Sequence, residues 1–292
     1  TNSNTTGPWD SDVFLMKTDI NGIEQWSKTF GGVSNDLGRS VKETTDGGYI
    51  VSGVTESFNT LNLNGAYSLY LLKTDGNGIE EWNQSYGDSL VEGSSVQQTF
   101  DGGYIISGTR QSPGNSQSDI YLLKTDENGV KQWSQIIGSK DYNETGNSVN
   151  QTLDGGYVVT GKKQFVNDYG IDEYSDIYLI KTDANGLEQW NRTFGTIGST
   201  DIGNSVQQTL DRGYIITGET ENIICGFSGG KNTYIIKTDN NGNLTTIFNF
   251  PPNSNRKLHK KVDIFGRETK QTNQPLFYIY DDGTVEKKIT ID

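Results

Sequence analysis

Histidine occurs once in the 292 residues, at His259, and cysteine once, at Cys225. Ser-His-Asp and Cys-His nucleophile systems therefore lack their base over the first 250 residues, and zinc or iron sites built on imidazole are excluded there as well. A single cysteine forms no intramolecular disulfide. Cys225 stands in the loop "NIICGFSGG" without a basic neighbour and reads as an inert small residue. The same loop lacks the Gly-Lys-Ser/Thr ending of a phosphate loop. What remains for chemistry is carboxylate.

Four acids, Asp36, Glu92, Glu144 and Asp201, sit beside a recurring "GxSV" marker at Gly38, Gly93, Gly146 and Gly203. Set around a common axis, such acids can bind Ca²⁺ or a cationic sugar, or supply an acid/base pair for glycoside cleavage. Solvated loop acids and turn caps are the plainer alternative. Ca²⁺ is the only ion this set suggests, and no cofactor is expected. Aromatic residues flank the same regions: Trp9, Phe58, Tyr67, Phe165, Tyr169, Tyr174 and Phe227. On loops, such rings stack on sugars or anchor protein partners.

These residues are positioned by an internal repeat. "TTDGGYIVSG" at Thr44 returns as "TFDGGYIISG" at Thr99, "TLDGGYVVTG" at Thr152 and "TLDRGYIITG" at Thr209. A second element, typified by "IYLLKTDENGVKQW" from Ile120, recurs with its turn Asp at Asp19, Asp75, Asp126, Asp183 and Asp239. Asp starts a tight turn through its side chain, and Gly supplies the positive φ such turns need. DxNG lacks the alternating oxygen ligands and final Glu of a calcium-binding loop, so it is read as a turn.

Each repeat predicts four short strands. Strand a precedes the Asp-Gly-Gly turn (Asp46, Asp101, Asp154, Asp211) and strand b follows it. Strands c and d form the hairpins 13–30, 69–86, 120–137, 177–194 and 233–250. Strand c is apolar on both faces and must be covered on both. A four-stranded antiparallel unit of about 50 residues with two apolar faces describes a β-propeller blade. No blade shields both faces alone, so the packing problem recurs and the sequence with it. Trp26, Trp82, Trp133 and Trp190 are expected to fill the space between blades. The fold class is thus an all-β propeller: four complete repeats plus an extra hairpin, making four or five blades over residues 1–250. The opening residues match a b-to-c loop, so further repeats are expected upstream, with a ring closed by mixing the termini as the alternative. The "LLKTDxNGxxxW" unit resembles the strand-turn-strand element of quinoprotein-like propellers, which implies fold and not a quinone.

Residues 251–292 break the pattern. Pro251, Pro252 and an Asn/Ser run read as a linker, and a short strand, a turn and a hairpin follow. "DIFGRE" (Asp263 to Glu268), "FYIYDDG" (Phe277 to Gly283) and "VEKKITI" (Val285 to Ile291) resemble the type A C-terminal sorting domain of type IX secretion substrates in Bacteroidota. The body repeats likewise resemble those of secreted proteins from such bacteria. That resemblance implies a secreted or cell-surface protein of a Gram-negative bacterium, with residues 263–292 read by the secretion machinery. A hairpin capping the last blade is the alternative.

The net charge is −13, which disfavours nucleic acid as a partner. No run of about 18 apolar residues exists to span a membrane. Strand alternation puts the uniform a–b and c–d turns on one face and the variable b–c and d–a loops on the other. Binding belongs where a rigid scaffold carries variable loops. The expected function is a non-catalytic module that contacts a glycan or surface protein through that face. The alternatives are a polysaccharide hydrolase with paired carboxylates and a purely structural array. The binding residues expected are Asp36, Glu92, Glu144, Asp201, Trp9, Tyr67, Tyr169 and Tyr174.

Overall fold

The computed structural model describes residues 11–58, 66–87, 90–111, 117–167, 170–196, 198–224, 227–250, 258–262, 268, 276–280 and 285–288. Every element among them is a strand. A hairpin, β1 (Val13–Thr18) and β2 (Glu24–Phe30), is followed by four four-stranded units. The first holds β3 (Asp36–Glu43), β4 (Tyr49–Thr55), β5 (Ser68–Thr74) and β6 (Glu80–Tyr86); the second β7 (Val91–Gln98), β8 (Tyr104–Gln111), β9 (Ser118–Thr125) and β10 (Lys131–Ile137). The third comprises β11 (Tyr142–Gln151), β12 (Tyr157–Asn167), β13 (Gly170–Thr182) and β14 (Glu188–Phe194). The fourth comprises β15 (Ser199–Gln208), β16 (Tyr214–Ile224), β17 (Phe227–Thr238) and β18 (Leu244–Phe250). A small sheet of β19 (Leu258–Val262), β20 (Leu276–Tyr280) and β21 (Val285–Lys288) ends the chain. Within each unit successive strands pair antiparallel, and the innermost strands stand next to one another. The units are propeller blades.

Both turn types close through carboxylates. Asp75 accepts the N–H groups of Asn77 and Ile79, each at 2.8 Å, and Gly78 follows at φ +73°. In the a–b turn of the third blade Asp154 accepts the Thr152 hydroxyl at 2.5 Å and the Gly156 N–H at 3.1 Å. It also pairs with the buried Lys181 ammonium at 3.0 Å, which ties the a–b turn to strand c. Lys73–Asp46, Lys124–Asp101 and Lys237–Asp211 repeat the bond at 2.9–3.0 Å. The lysine of "KTD" closes the apolar run of each strand c. In the first three blades its stem is buried while its head is held by the turn acid.

Blade contacts follow one rule. Each strand-d Trp packs on the strand-b Tyr of the next sheet: Trp26 on Tyr49, Trp82 on Tyr104, Trp133 on Tyr157 and Trp190 on Tyr214, at 5.7–5.9 Å between ring centroids. The same indoles lie over Gly78, Gly129, Gly186 and Gly242, where a Cβ would meet the ring at 2.5–2.8 Å. Those glycines are required twice, by positive φ and by the indole. A glutamine in each following inner strand accepts a turn N–H of the preceding blade, as Gln98 does from Thr45, Gln151 from Phe100 and Gln208 from Leu153, all at 2.8 Å.

The first hairpin departs from the expectation that every strand c is covered on both faces. Phe14 is 63 % exposed, whereas its counterpart Tyr70 is 1 % exposed. Val13 and Leu15 pack against the first complete blade, and the other face of β1 has no sheet against it among the described residues.

Arg212 is a second departure. It holds φ +67° where the three sister turns have Gly47, Gly102 and Gly155. The left-handed conformation costs a residue bearing a Cβ about 1 kcal/mol. Arg212→Gly is therefore expected to raise the unfolding free energy by about 0.5 kcal/mol once the extra freedom of the unfolded chain is subtracted. Urea denaturation of the two chains measures it.

Candidate functional site: a groove over the third blade

The third blade carries longer strands than the first. β12 and β13 run on past the sheet as a two-stranded ribbon, pairing as far as Asn167↔Gly170. On the face of the b–c and d–a connections this ribbon walls a groove of about 580 Å³. Tyr142, Phe165 and Tyr174 line it together with Lys163, Asp176 and Asn191, and the connection to the fourth blade (Gly195, Thr196, Ser199) forms its floor. Tyr142 meets Phe165 edge to face at 5.5 Å. The Lys163 ammonium lies 4.2 Å from the Tyr142 ring centre, 4.8 Å from that of Tyr178 and 3.8 Å from Glu144 Oε1. Aromatic faces next to fixed charged and amide groups are what a polyhydroxylated ligand needs for stacking and directional hydrogen bonds.

The acids expected on this face are differently placed. Asp36, Glu144 and Asp201 occupy one register, opposite Thr55, Lys163 and Thr220, and are buried rather than displayed on loops. Glu92 does not belong to the set, because Val91 holds that register and Glu92 falls one residue later, on the other side of the strand. A one-residue offset reverses the face in a strand. Asp36 accepts the Gly32 N–H at 2.8 Å and the Ser57 hydroxyl at 2.6 Å. Asp201 accepts the Thr196 N–H at 3.0 Å and the Ser199 hydroxyl at 2.6 Å.

Their partners were missed in the sequence. Asp12, Asp119 and Asp176 each stand directly before the apolar run of a strand c, and each acts together with the acid early in the next blade. Asp12 and Asp36 close on Gly31, and Asp176 and Asp201 on Gly195. Asp119 acts electrostatically on Glu144. The signal was the dipeptide Ser-Asp before "VFL", "IYL" and "IYL". Burial, with the Asp201 charge beside it, raises the Asp176 carboxyl above its ordinary range. Burial pushes Glu144 up to about 7 against the opposing pull of Lys163.

Among the aromatics, Tyr174 lines the groove, and Phe58 stacks on Tyr70 at 5.8 Å as part of the scaffold. Tyr67 is half-buried, its phenol raised by burial and by the Glu92 charge. Trp9, Tyr169 and Cys225 lie outside the described residues, as does most of 263–292. No group of three or more His, Cys, Asp or Glu side chains suited to a metal occurs among the described residues. Among the described residues no helix is long and apolar enough to cross a membrane. A second cavity of about 490 Å³ runs along the axis between inner strands, lined by Ser95, Gln97, Ser148, Asn150, Ser205 and Gln207. Its polar groups are partly spent on bonds between blades, such as Val149 N–H to Ser95 Oγ at 3.4 Å and Gln151 N–H to Gln97 Oε1 at 2.6 Å.

No protein-family model matches the chain, and no curated protein does. Among solved structures, the endo-1,5-α-L-arabinanase of Thermotoga petrophila RKU-1 is 14 % identical with a TM-score of 0.42, over 85 % of this chain and 69 % of that one. An endo-arabinase of Bacteroides thetaiotaomicron VPI-5482 is 12 % identical with the same TM-score, over 86 % of this chain and 93 % of that one.

Proposed function

We propose that this protein is a glycan-binding module whose ligand lies in the groove over the third blade and is held there without being cleaved. The observation that carries the reading is the gathering of Tyr142, Phe165 and Tyr174 with Lys163, Asp176 and Asn191 in one groove, on the face where the repeats differ. Rings supply stacking surface at low entropic cost, and the polar groups set ligand orientation. Two features speak against catalysis. Of the acid pair only Asp176 lines the groove, since Asp201 is fully enclosed. The paired arrangement also recurs at other blade junctions, as scaffold does and a unique catalytic dyad does not. The resemblance of residues 263–292 to a sorting domain supports placing the module outside the cell or on its surface.

Cleavage of a polysaccharide is the second reading, and the two matched structures are an endo-1,5-α-L-arabinanase and an endo-arabinase. It is favoured by Asp176, whose raised carboxyl has the character of a general acid.

A glycan array with a reducing-sugar assay on arabinan and other polysaccharides tests both. Binding without new reducing ends is expected, and Phe165→Ala should weaken it about tenfold through the lost ring contact. Turnover that disappears in Asp176→Asn would establish the hydrolase instead. Silence in both assays would leave a structural array.

A further inference from the structure

We propose that Asp176 and Asp201 hold a Ca²⁺ ion between the third and fourth blades, beneath the floor of the groove. The two side chains come from different sheets and close on one point. A Cβ added to Gly195 would overlap the Asp176 carboxylate and stand 2.9 Å from Asp201 Oδ2. Asp201 is 0 % exposed, and its two hydrogen-bond donors both fall on Oδ2. Oδ1 is buried with no hydrogen-bond partner. One oxygen of this enclosed acid pair is thus left uncompensated by any donor, and a buried carboxylate oxygen so left calls for a cation. Among the described residues no basic side chain forms an ion pair with either acid.

The other junctions support the inference. Asp12 and Asp36 close on Gly31 in the same way, and Asp36 Oδ1 is likewise buried without a hydrogen bond. Between the second and third blades the pair is Asp119 and Glu144, and there Lys163 stands 3.8 Å from Glu144 with its ammonium in the role of cation. Between the first and second blades both acids are absent together, with Ser68 and Val91 at the corresponding positions. Joint loss is the pattern of two residues serving one shared ion.

The donor set selects the ion. Carboxylates are joined by the Ser199 and Thr196 hydroxyl oxygens nearby, and the groove that Asp176, Thr196 and Ser199 line admits water. Hard oxygen donors without nitrogen or sulfur suit Ca²⁺ and not zinc or copper. Only two charged ligands place the affinity in the range of extracellular calcium modules, about 10⁻⁴ to 10⁻³ M. The site does not depend on the glycan reading, and its test uses Ca²⁺ alone.

The full chain is stripped with EDTA and its melting temperature followed as CaCl₂ rises to about ten times the expected Kd. A rise of roughly 3–6 °C is expected. In an Asp36→Asn background, which silences the second acid pair, Asp176→Asn should abolish the remaining rise. Direct calorimetric titration of Ca²⁺ into the unmodified chain provides a measurement that no variant's folding can obscure, and heat of binding is expected. The proposal is overturned if the unmodified chain shows neither a melting shift nor binding heat. It is equally overturned if the double variant, folded by circular dichroism, keeps the full shift. A pair that merely shares a proton would give no Ca²⁺ response and a more stable Asp176→Asn at pH 8, which also overturns it.

Discussion

Trp133→Ala is expected to lower the unfolding free energy by about 3 kcal/mol, whereas Ile136→Ala, three residues along the same strand, should change it by less than about 0.5 kcal/mol. Hydropathy alone ranks these residues in the opposite order. Trp133 packs on the buried cluster of Ile105, Leu122, Tyr157 and Val159, 5.8 Å from the Tyr157 ring and over Gly186 of the next blade. Ile136 is 50 % exposed. Removing the indole opens a void between two sheets that cannot close, because strand pairing fixes the blades' spacing. Urea denaturation of both variants measures the difference. Equal losses would show that the indole column does not join the blades.

The second large effect is electrostatic and depends on pH. Glu144 has its carboxyl pushed up from an ordinary 4.5 to about 7, first by burial, with the nearby Asp119 adding to it and Lys163 opposing. A carboxyl raised in the folded state favours the protonated native form. Between about pH 4.5 and 7 folding therefore takes up a proton, and stability contributed at this site falls as pH rises through that window. Above 7 the penalty is complete. Glu144→Gln keeps the shape and removes the charge, so it is expected to stabilise the protein by about 2–3 kcal/mol at pH 8 and to be close to neutral at pH 4.5. Denaturation curves of both chains at the two pH values check it, and a pH-independent difference would refute the assignment. The window is clean on its acid side. Asp101 and Asp154 have carboxyls held below 3.8, where burial is outweighed by the threonine hydroxyl and the lysine ammonium, so what they contribute is present above 3.8 and is lost only under stronger acid. Asp211 is held down to about 2, chiefly by the Thr209 hydroxyl.

Much of this architecture was legible in the residues. Gly78, Gly129, Gly186 and Gly242 announce turns because positive φ is a local backbone requirement. The repeat spacing of Trp and Asp-Gly-Gly announces stacked sheets because neighbouring blades must bury the same faces. The acids were legible as residues but not as a site. Asp36, Glu144 and Asp201 were expected on display, and they are enclosed because each lies within the paired part of a strand rather than in the preceding loop. Glu92 was grouped with them by sequence distance, and register excluded it. Asp176 went unremarked because a single acid before an apolar strand resembles any strand boundary.

The division between the two sources of information has a physical cause. Turn chemistry and alternation act over two to five residues, so the order of residues alone determined the strands, the hairpins and the number of copies. Which carboxylates meet depends on how one sheet is rotated and spaced against the next. The pairing of Asp176 with Asp201 across 25 positions, and the groove that the β12–β13 ribbon raises above it, were decided only when the blades packed.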